Sequence, residues 1–326
     1  LGMLLIGGAA NGWAVLADLV FYIFFAPQLA FMMERLMYAV NAKMEAAEAV
    51  KKLEVILKES PLPEPAPAGR KSPADSSISF DNVTFTYDGA ARPALMNVRF
   101  HLPQGAAYAL VGPSGGGKST IARLIPRFFD VQEGAVLVGG QDVRSIPTAE
   151  LMEQISFVFQ EVHLFKKSIR DNIRAARPNA TEEEILHAAH LAQCGDILEK
   201  IPGGLDAVIG AKGVYLSGGE MQRIALARAI LKDAPIVVLD EASSFADPEN
   251  EVKIQKAFEA LMKGKTVLMI AHRLSTVRRM DRILVIKKGV VAEEGKHDEL
   301  LEKGGVYASM WEEYQSAAQW KVGGEE

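Results

Sequence analysis

Nine residues, GPSGGGKST from Gly112 to Thr120, combine the groups needed to hold the phosphates of a nucleotide. Gly112, Gly117, Lys118 and Ser119 satisfy the G-x-x-x-x-G-K-[ST] spacing, with Pro113, Ser114, Gly115 and Gly116 inside the loop. Glycines let the backbone bend until successive N–H groups face phosphate oxygens. Lys118 adds a positive charge at the β- and γ-phosphates, Ser119 offers a hydroxyl to Mg²⁺, and the start of a following helix favours an anion. The run AAYALV before the loop predicts a strand and TIARLI after it a helix, the context that separates this motif from a chance glycine-rich turn. The loop alone implies a nucleoside triphosphate and does not distinguish a GTPase, a kinase or a motor.

A second motif, LSGGEMQR from Leu216 to Arg223, is first of all a helix start. Ser217 and Glu220 fit an S-x-x-E capping box ahead of the helical run MQRIALARAILK. Shortly after it, PIVVLDEASS predicts a buried strand ending in Asp240 and Glu241. A phosphate loop, a glycine-rich helix cap and a strand ending in paired acids together resemble the ATP-binding cassette (ABC) ATPases. The resemblance covers nearly all of Ile78 to Tyr314.

That resemblance implies further roles. Tyr87 stands where the family keeps an aromatic that stacks on adenine. Gln160, ending ISFVFQ, matches the glutamine that reaches the Mg²⁺ site and faces the membrane domain. His272, in IAHRLST, matches the histidine that contacts the γ-phosphate, and Asp247 the aspartate of a loop running between two ATP sites. ATP would thus be held by Tyr87, by Gly112 to Thr120, and by Gln160, Asp240 and His272. Ser119, Gln160 and Asp240 would hold Mg²⁺. In the implied hydrolysis Glu241 orients or deprotonates the attacking water, while His272 and Lys118 stabilise charge on the transferred group. Ser217, Gly218, Gly219 and Glu220, with Asp247, would close over ATP bound to a partner subunit, making dimerisation conditional on ATP. The residues agree with this placement. The phosphate loop, Gln160, Asp240, Glu241 and His272 each end a predicted strand, and in an open parallel sheet those ends share one edge.

The chain departs from the family pattern at several positions. Glu220 replaces the usual Gln of the signature, bringing a carboxylate near the trans-bound nucleotide unless the capping box turns it away. Phe245 and Ala246 occupy the middle of SSFAD in place of the usual pair, and Ala211 stands where a Glu is usual, which would weaken contact with the membrane domain. Glu241 is retained, which implies an active ATPase.

The elements that must position these residues follow from composition. The chain has 326 residues, a net charge of −5 and 24% charged residues, so it lacks the basic excess a nucleic-acid partner would need. One cysteine, Cys194, excludes an intramolecular disulfide and suits a reducing compartment. Residues 1–58 open with LGMLLIGGAANG, read as the end of an earlier span plus an outer turn. VLADLVFYIFFAPQLAFMME then carries no Lys or Arg before Arg35, which predicts a transmembrane helix over about 15–40, bent at Pro27, rather than a buried core helix; the resemblance makes it the final one of a membrane domain. Lys43, Lys51, Lys52 and Lys58 lie on its cytosolic extension by the positive-inside rule. A signal peptide does not fit, because a basic n-region and a cleavage site are missing. Residues 59–77 read as an extended proline-rich linker, 78–320 as a globular α/β domain that the resemblance makes an ABC ATP-binding domain, and 321–326 as a tail. In that domain Ile78, Phe80, Val83, Phe85 and Tyr87 alternate with one slip, as a bulged strand would. PIVVLD, KTVLMIAH and ISFVFQ suit strands buried on both faces of a parallel sheet.

The expected fold is therefore α/β, an ABC-type P-loop NTPase. The resemblance adds an antiparallel β subdomain and a helical subdomain, preceded by the last helix of an all-α membrane domain. It implies an ATP-driven exporter half in the cell membrane, multi-pass at full length, with a cytoplasmic ATP-binding domain. Its partners would be a second half-transporter, identical or different, the lipid bilayer and a transported substrate, but no nucleic acid. A soluble ABC ATPase and a non-hydrolysing regulatory half are the alternatives. Two tempting signals are read as structural. His187, His190 and Cys194 recur along TEEEILHAAHLAQC, where Thr181 and Glu184 supply a capping box and no metal is expected. His297 is expected to open a surface helix.

Overall fold

The computed structural model describes residues 9–58, 60–210, 214–240, 248–271 and 274–322. The chain divides into two compact units, Leu1–Leu62 and Pro63–Glu326.

The first unit is one helix, α1 (Ala9–Lys58), of 50 residues. At ~1.5 Å per residue it is about 75 Å long, more than twice the ~30 Å hydrocarbon core of a bilayer. Its most apolar stretch has a mean hydropathy of 1.8, and none of it is buried within the structure. Leu19, Phe21, Ile23, Phe24 and Phe25 all stand exposed, so the helix is apolar around its circumference rather than along one stripe. Beyond Tyr38 the character changes, and Lys52–Glu48 and Lys58–Glu54 form i,i+4 ion pairs in the last turns. Pro27 sits inside α1, and the helix continues through it to Lys58.

The second unit is layered α/β. Its elements in order are β1 (Ile78–Phe85), β2 (Leu95–Leu102), β3 (Ala107–Val111), α2 (Lys118–Leu124), β4 (Glu133–Val138), β5 (Gln141–Asp142), α3 (Thr148–Gln154) and β6 (Ile155–Val158). Next come α4 (Ile169–Arg174), α5 (Glu182–Leu191), α6 (Gly195–Lys200), α7 (Gly218–Lys232) and β7 (Ile236–Asp240). The unit closes with α8 (Pro248–Met262), β8 (Thr266–Ile270), α9 (Leu274–Val277), β9 (Arg282–Lys287), β10 (Val290–Gly295), α10 (His297–Glu302) and α11 (Val306–Val322).

Two sheets result. The first is antiparallel, in the order β2-β1-β4-β5. The second runs β10-β9-β3-β8-β7-β6 and is parallel except for β10. The slip read in β1 is a bulge. Asp81 and Asn82 are both exposed, the register with β2 shifts between Phe80 and Val83, and Asn82 takes φ 50°. In the parallel sheet successive residues feed opposite cores. Ala109, Val111, Val237, Leu239, Val267 and Met269 pack with the helices, whereas Tyr108, Leu110, Ile236, Val238, Leu268 and Ile270 pack with the antiparallel sheet and α2. Burial on both faces is why these strands read as unbroken apolar runs.

The proline-rich segment is more than a tether. From Pro63 onward it is laid on the α/β unit, with one 3₁₀ turn at Pro67–Gly69. The Arg127 guanidinium donates to the Pro63 carbonyl at 2.9 Å, and the N–H groups of Lys71 and Ala74 donate to the Ser145 and Gly139 carbonyls. The Ser76 hydroxyl lies buried, 2.9 Å from the Thr266 hydroxyl. Prolines cannot extend a helix, but their carbonyls still accept, and that is what Arg127 uses.

The His187, His190, Cys194 stripe does not converge. Thr181 and Glu184 form both bonds of a capping box, the two histidines are exposed on α5, and Cys194 is buried in the helical core. Burial pushes the Cys194 thiol up to about 12. We therefore expect native protein at pH 8 to react with a thiol-disulfide reagent about a hundredfold more slowly than denatured protein, because the thiolate is the nucleophile. Equal rates in the two states would contradict the packing. His297 does open α10, but it is buried rather than at the surface, with its Nδ1 2.7 Å from the Tyr307 hydroxyl and its ring against Trp311. The flanking Asp298 and Glu299 suit an exposed first turn, but the aromatic residues of α11 cover the histidine.

Candidate functional site

The phosphate loop leaves β3 at Val111 and enters α2 at Lys118. Its glycines are dictated by space as well as conformation. A Cβ at Gly112, where φ is 139°, would lie 2.0 Å from the Ile286 carbonyl oxygen. At Gly117, φ 109°, it would meet Leu95 and the Ala94 carbonyl oxygen at 2.8 and 2.9 Å. The Lys118 ammonium crosses back over the loop, donating to the Gly112 and Pro113 carbonyls at 2.8 and 3.0 Å. Burial lowers its pKa, opposed by the charge of Asp240. Two of its three donors thus fix the loop, leaving one for a phosphate oxygen.

Around the loop lies a cavity of about 260 Å³ lined by Tyr87, Ala94, Gly115, Gly116, Gly117, Lys118, Ser119 and Thr120. Tyr87 is half-buried, and its hydroxyl is 3.2 Å from the Thr120 hydroxyl, which ties the proposed base platform to the phosphate loop. A larger cavity, about 580 Å³, lies elsewhere, walled by Phe157, Phe159, Phe165, Ala225, Arg228 and Lys232 among others. It lacks phosphate-binding backbone, so the smaller cavity is the candidate nucleotide site.

Asp240 ends β7 and is buried. Gln160 is exposed two residues past β6, at the far edge of the sheet and three strands from β3. Because β3, β6 and β7 are parallel, the phosphate loop, Gln160 and Asp240 occupy the same carboxyl edge of the sheet. Glu241, Asp247 and His272 lie outside the described residues, as do Ala211, Phe245 and Ala246.

Ser217, Gly218, Gly219 and Glu220 do not line the cavity; they begin α7. Here the capping box is complete. The Ser217 hydroxyl accepts from the Glu220 N–H at 3.2 Å, and the Glu220 carboxylate accepts from the Ser217 N–H at 2.7 Å and from Lys200 at 3.1 Å. Burial opposes the Glu220 charge, but the Ser217 N–H and Lys200 outweigh it and hold the carboxyl below its usual range. The acid at this unusual position is therefore occupied in holding its own helix. Gly219 is small for a local reason, since a Cβ there would lie 3.1 Å from the Asn250 side chain.

Residues without a sequence signal also support the site. Gln132 and Phe129 pack against the Tyr87 segment, and Arg223 anchors α7 through Asp196, Asn250 and the Gln193 carbonyl. Their partners are distant in sequence, so no local pattern marks them.

A glycine loop between a parallel strand and a helix, at the carboxyl edge of an open α/β sheet, defines a P-loop nucleotide-binding protein. Residues 95–244 match the family described as ABC transporter. The chain is 50% identical over 238 residues to the ATP-dependent lipid A-core flippase of Escherichia coli (strain K12), and equally to the protein of that name from Shigella flexneri. Each match covers 73% of this chain and 41% of the relative, so the chain spans about two fifths of the length of the curated relatives it matches. A solved bacterial Atm1-family ABC exporter with ATP bound superposes with a TM-score of 0.75 at 37% identity, over 83% of this chain and 47% of that one. The chain belongs to the ABC transporter family, and its α/β unit is an ATP-binding domain of that family's ATPases.

Proposed function

We propose that this chain is the ATP-hydrolysing portion of an exporter-type ABC transporter, in which the apolar first part of α1 crosses the membrane and its charged remainder lies in the cytosol. The observation that carries this reading is the joining of a 50-residue helix, apolar all round in its first part, to a complete phosphate-binding loop in one chain. A soluble ABC ATPase would have no use for such a helix in water.

Lys118 and the backbone of Gly112 to Thr120 hold the phosphates, and Tyr87 stacks on the base. Ser119, Asp240 and Gln160 offer hydroxyl, carboxylate and carboxamide oxygens, a donor set that suits a hard divalent cation such as Mg²⁺. Mg²⁺ so held would neutralise charge between the β- and γ-phosphates. Glu241 follows Asp240 directly and orients or deprotonates the attacking water; His272 and Lys118 stabilise the charge that develops on the transferred group. Ser217, Gly218, Gly219 and Asp247 meet the nucleotide of a second subunit, with the Ser217 cap and its Lys200–Glu220 brace keeping α7 in shape for that contact. Lipid A-core, the cargo in the names of the two relatives, makes an amphiphilic lipid the first substrate class to test.

The test is Mg²⁺-dependent ATP hydrolysis by the chain in lipid nanodiscs beside a Glu241→Gln variant. We expect turnover in the parent and a loss of about 10²-fold or more in the variant, with ATP binding kept. A parent that binds ATP without hydrolysing it would turn the reading toward a regulatory half.

A further inference from the structure

We propose that Gln132, with Phe129, is a positioning element for the nucleotide base, acting through Tyr87. This rests on the reading of Tyr87 as the base platform. The antiparallel pairing of β1 with β4 ends at Thr84 and Glu133. One step further on, the Gln132 side chain takes over the pairing. Its Oε1 accepts from the Thr86 N–H at 2.8 Å, and its Nε2 donates to the Thr86 carbonyl at 2.9 Å. A primary amide carries a donor and an acceptor at the spacing of a peptide group, so it satisfies both backbone groups of Thr86 at once. The residue it fixes is the immediate neighbour of Tyr87.

Phe129 completes the brace. Its ring meets Tyr87 edge-on at 5.3 Å between centroids and Phe85 at 5.6 Å, while Phe85 itself lies edge-on to Tyr87 at 4.8 Å. The aromatic ring of Tyr87 is thereby held on one side by carbon contacts, and its hydroxyl is held at the other end by Thr120. Tyr87 lies beyond the last residue of β1 and has no ladder of its own. Without Gln132 the segment would have to order itself on binding, and that ordering would be charged against base affinity. The segment 127–132 begins three residues after the end of α2, so one short stretch joins the phosphate-binding and base-binding halves of the cavity.

The prediction concerns which part of the ligand feels the change. ATP and inorganic tripolyphosphate would be titrated into the full chain in detergent micelles, comparing the parent with Gln132→Ala, Gln132→Glu and Tyr87→Ala. Gln132→Ala is expected to weaken ATP about fivefold while tripolyphosphate stays within about twofold, as the loss of two hydrogen bonds from an ordered platform implies. Gln132→Glu, which keeps the acceptor and loses the donor, should fall between. The Gln132 side chain is exposed, so neither Gln132 variant threatens the core. Equal weakening of ATP and tripolyphosphate would overturn the proposal, because the segment would then act on the phosphate loop. So would an unchanged ATP affinity in Gln132→Ala beside a weakened Tyr87→Ala, which refutes the brace alone. An unaffected Tyr87→Ala refutes the platform and the brace with it.

Discussion

Lys118→Ala should lower ATP hydrolysis by about 10²–10³-fold, the loss typical of removing one preorganised charge-stabilising donor. The structure gives two reasons for the size of the effect. Lys118 is 7% exposed, so its ammonium acts in a poorly screened pocket where a charge is worth more than in water. The same group clamps the Gly112 and Pro113 carbonyls, so its removal also loosens the loop that presents the backbone donors. Both nucleotide binding and turnover should therefore fall. Lys118→Arg should not rescue, because a planar fork cannot take the place of a compact ammonium between two carbonyls. Phosphate release and ATP binding measured side by side provide the check. Turnover within about threefold of the parent would mean that charge at the γ-phosphate is supplied from elsewhere.

Arg223→Ala should cost about 3 kcal/mol of stability, the largest effect expected outside the cavity. Arg223 is 1% exposed and reaches three residues. It donates to Asp196 on α6 at 2.6 and 3.2 Å, to Asn250 on α8 at 2.8 Å, and to the Gln193 carbonyl just before α6. Removing it withdraws donors from all three and leaves a cavity of arginine size between α7 and its neighbours. Arg223→Lys should recover little, since one ammonium cannot address acceptors spread in a plane.

The pH dependence has a definite sign. Burial opposes the Asp196 charge, but Arg223 and Lys253 outweigh it and hold the carboxyl at about 2, below its ordinary 3.8. A depressed carboxylate contributes stability that is present above pH 3.8 and is lost as the pH falls toward 2. The Asp196 side chain is 44% exposed, so solvent screens this contribution and it is the smaller part of the Arg223 effect. Urea midpoints at pH 7 and pH 3 should differ less in Arg223→Ala than in the parent. A midpoint at pH 7 equal to that of the parent would show that the network holds nothing together.

The position of Glu220 shows how far one sequence reaches. Its spacing from Ser217 was enough to predict a capping box, because the box is a contact between residues three apart. That Lys200 supplies the second partner of the carboxylate depends on α6 lying beside α7, which no local pattern encodes. Within this subunit the Glu220 carboxylate braces its own helix, the arrangement the capping-box spacing implies. His297 makes the opposite point. Its flanking acids signal an exposed first turn, but Tyr307 and Trp311 bury it from a helix that follows.

By itself the sequence determined what rests on short-range geometry. The glycine spacing of the phosphate loop, the two capping boxes, the bulge in β1, the apolar parallel strands and the apolar first part of α1 are all consequences of neighbouring residues, and each is present. Only the tertiary structure decided which distant groups meet. Strand order puts Gln160 at the sheet edge, three strands from the phosphate loop. Arg127 reaches back to Pro63 and turns part of an extended linker into a docked strap, and Gln132 finds Thr86 just past the end of the β1–β4 pairing. The physical reason is that hydrogen-bond partners are chosen by chain packing once the cores have formed. Polar side chains such as Gln132 and Arg127 carry no periodic signature that would announce the partner in advance.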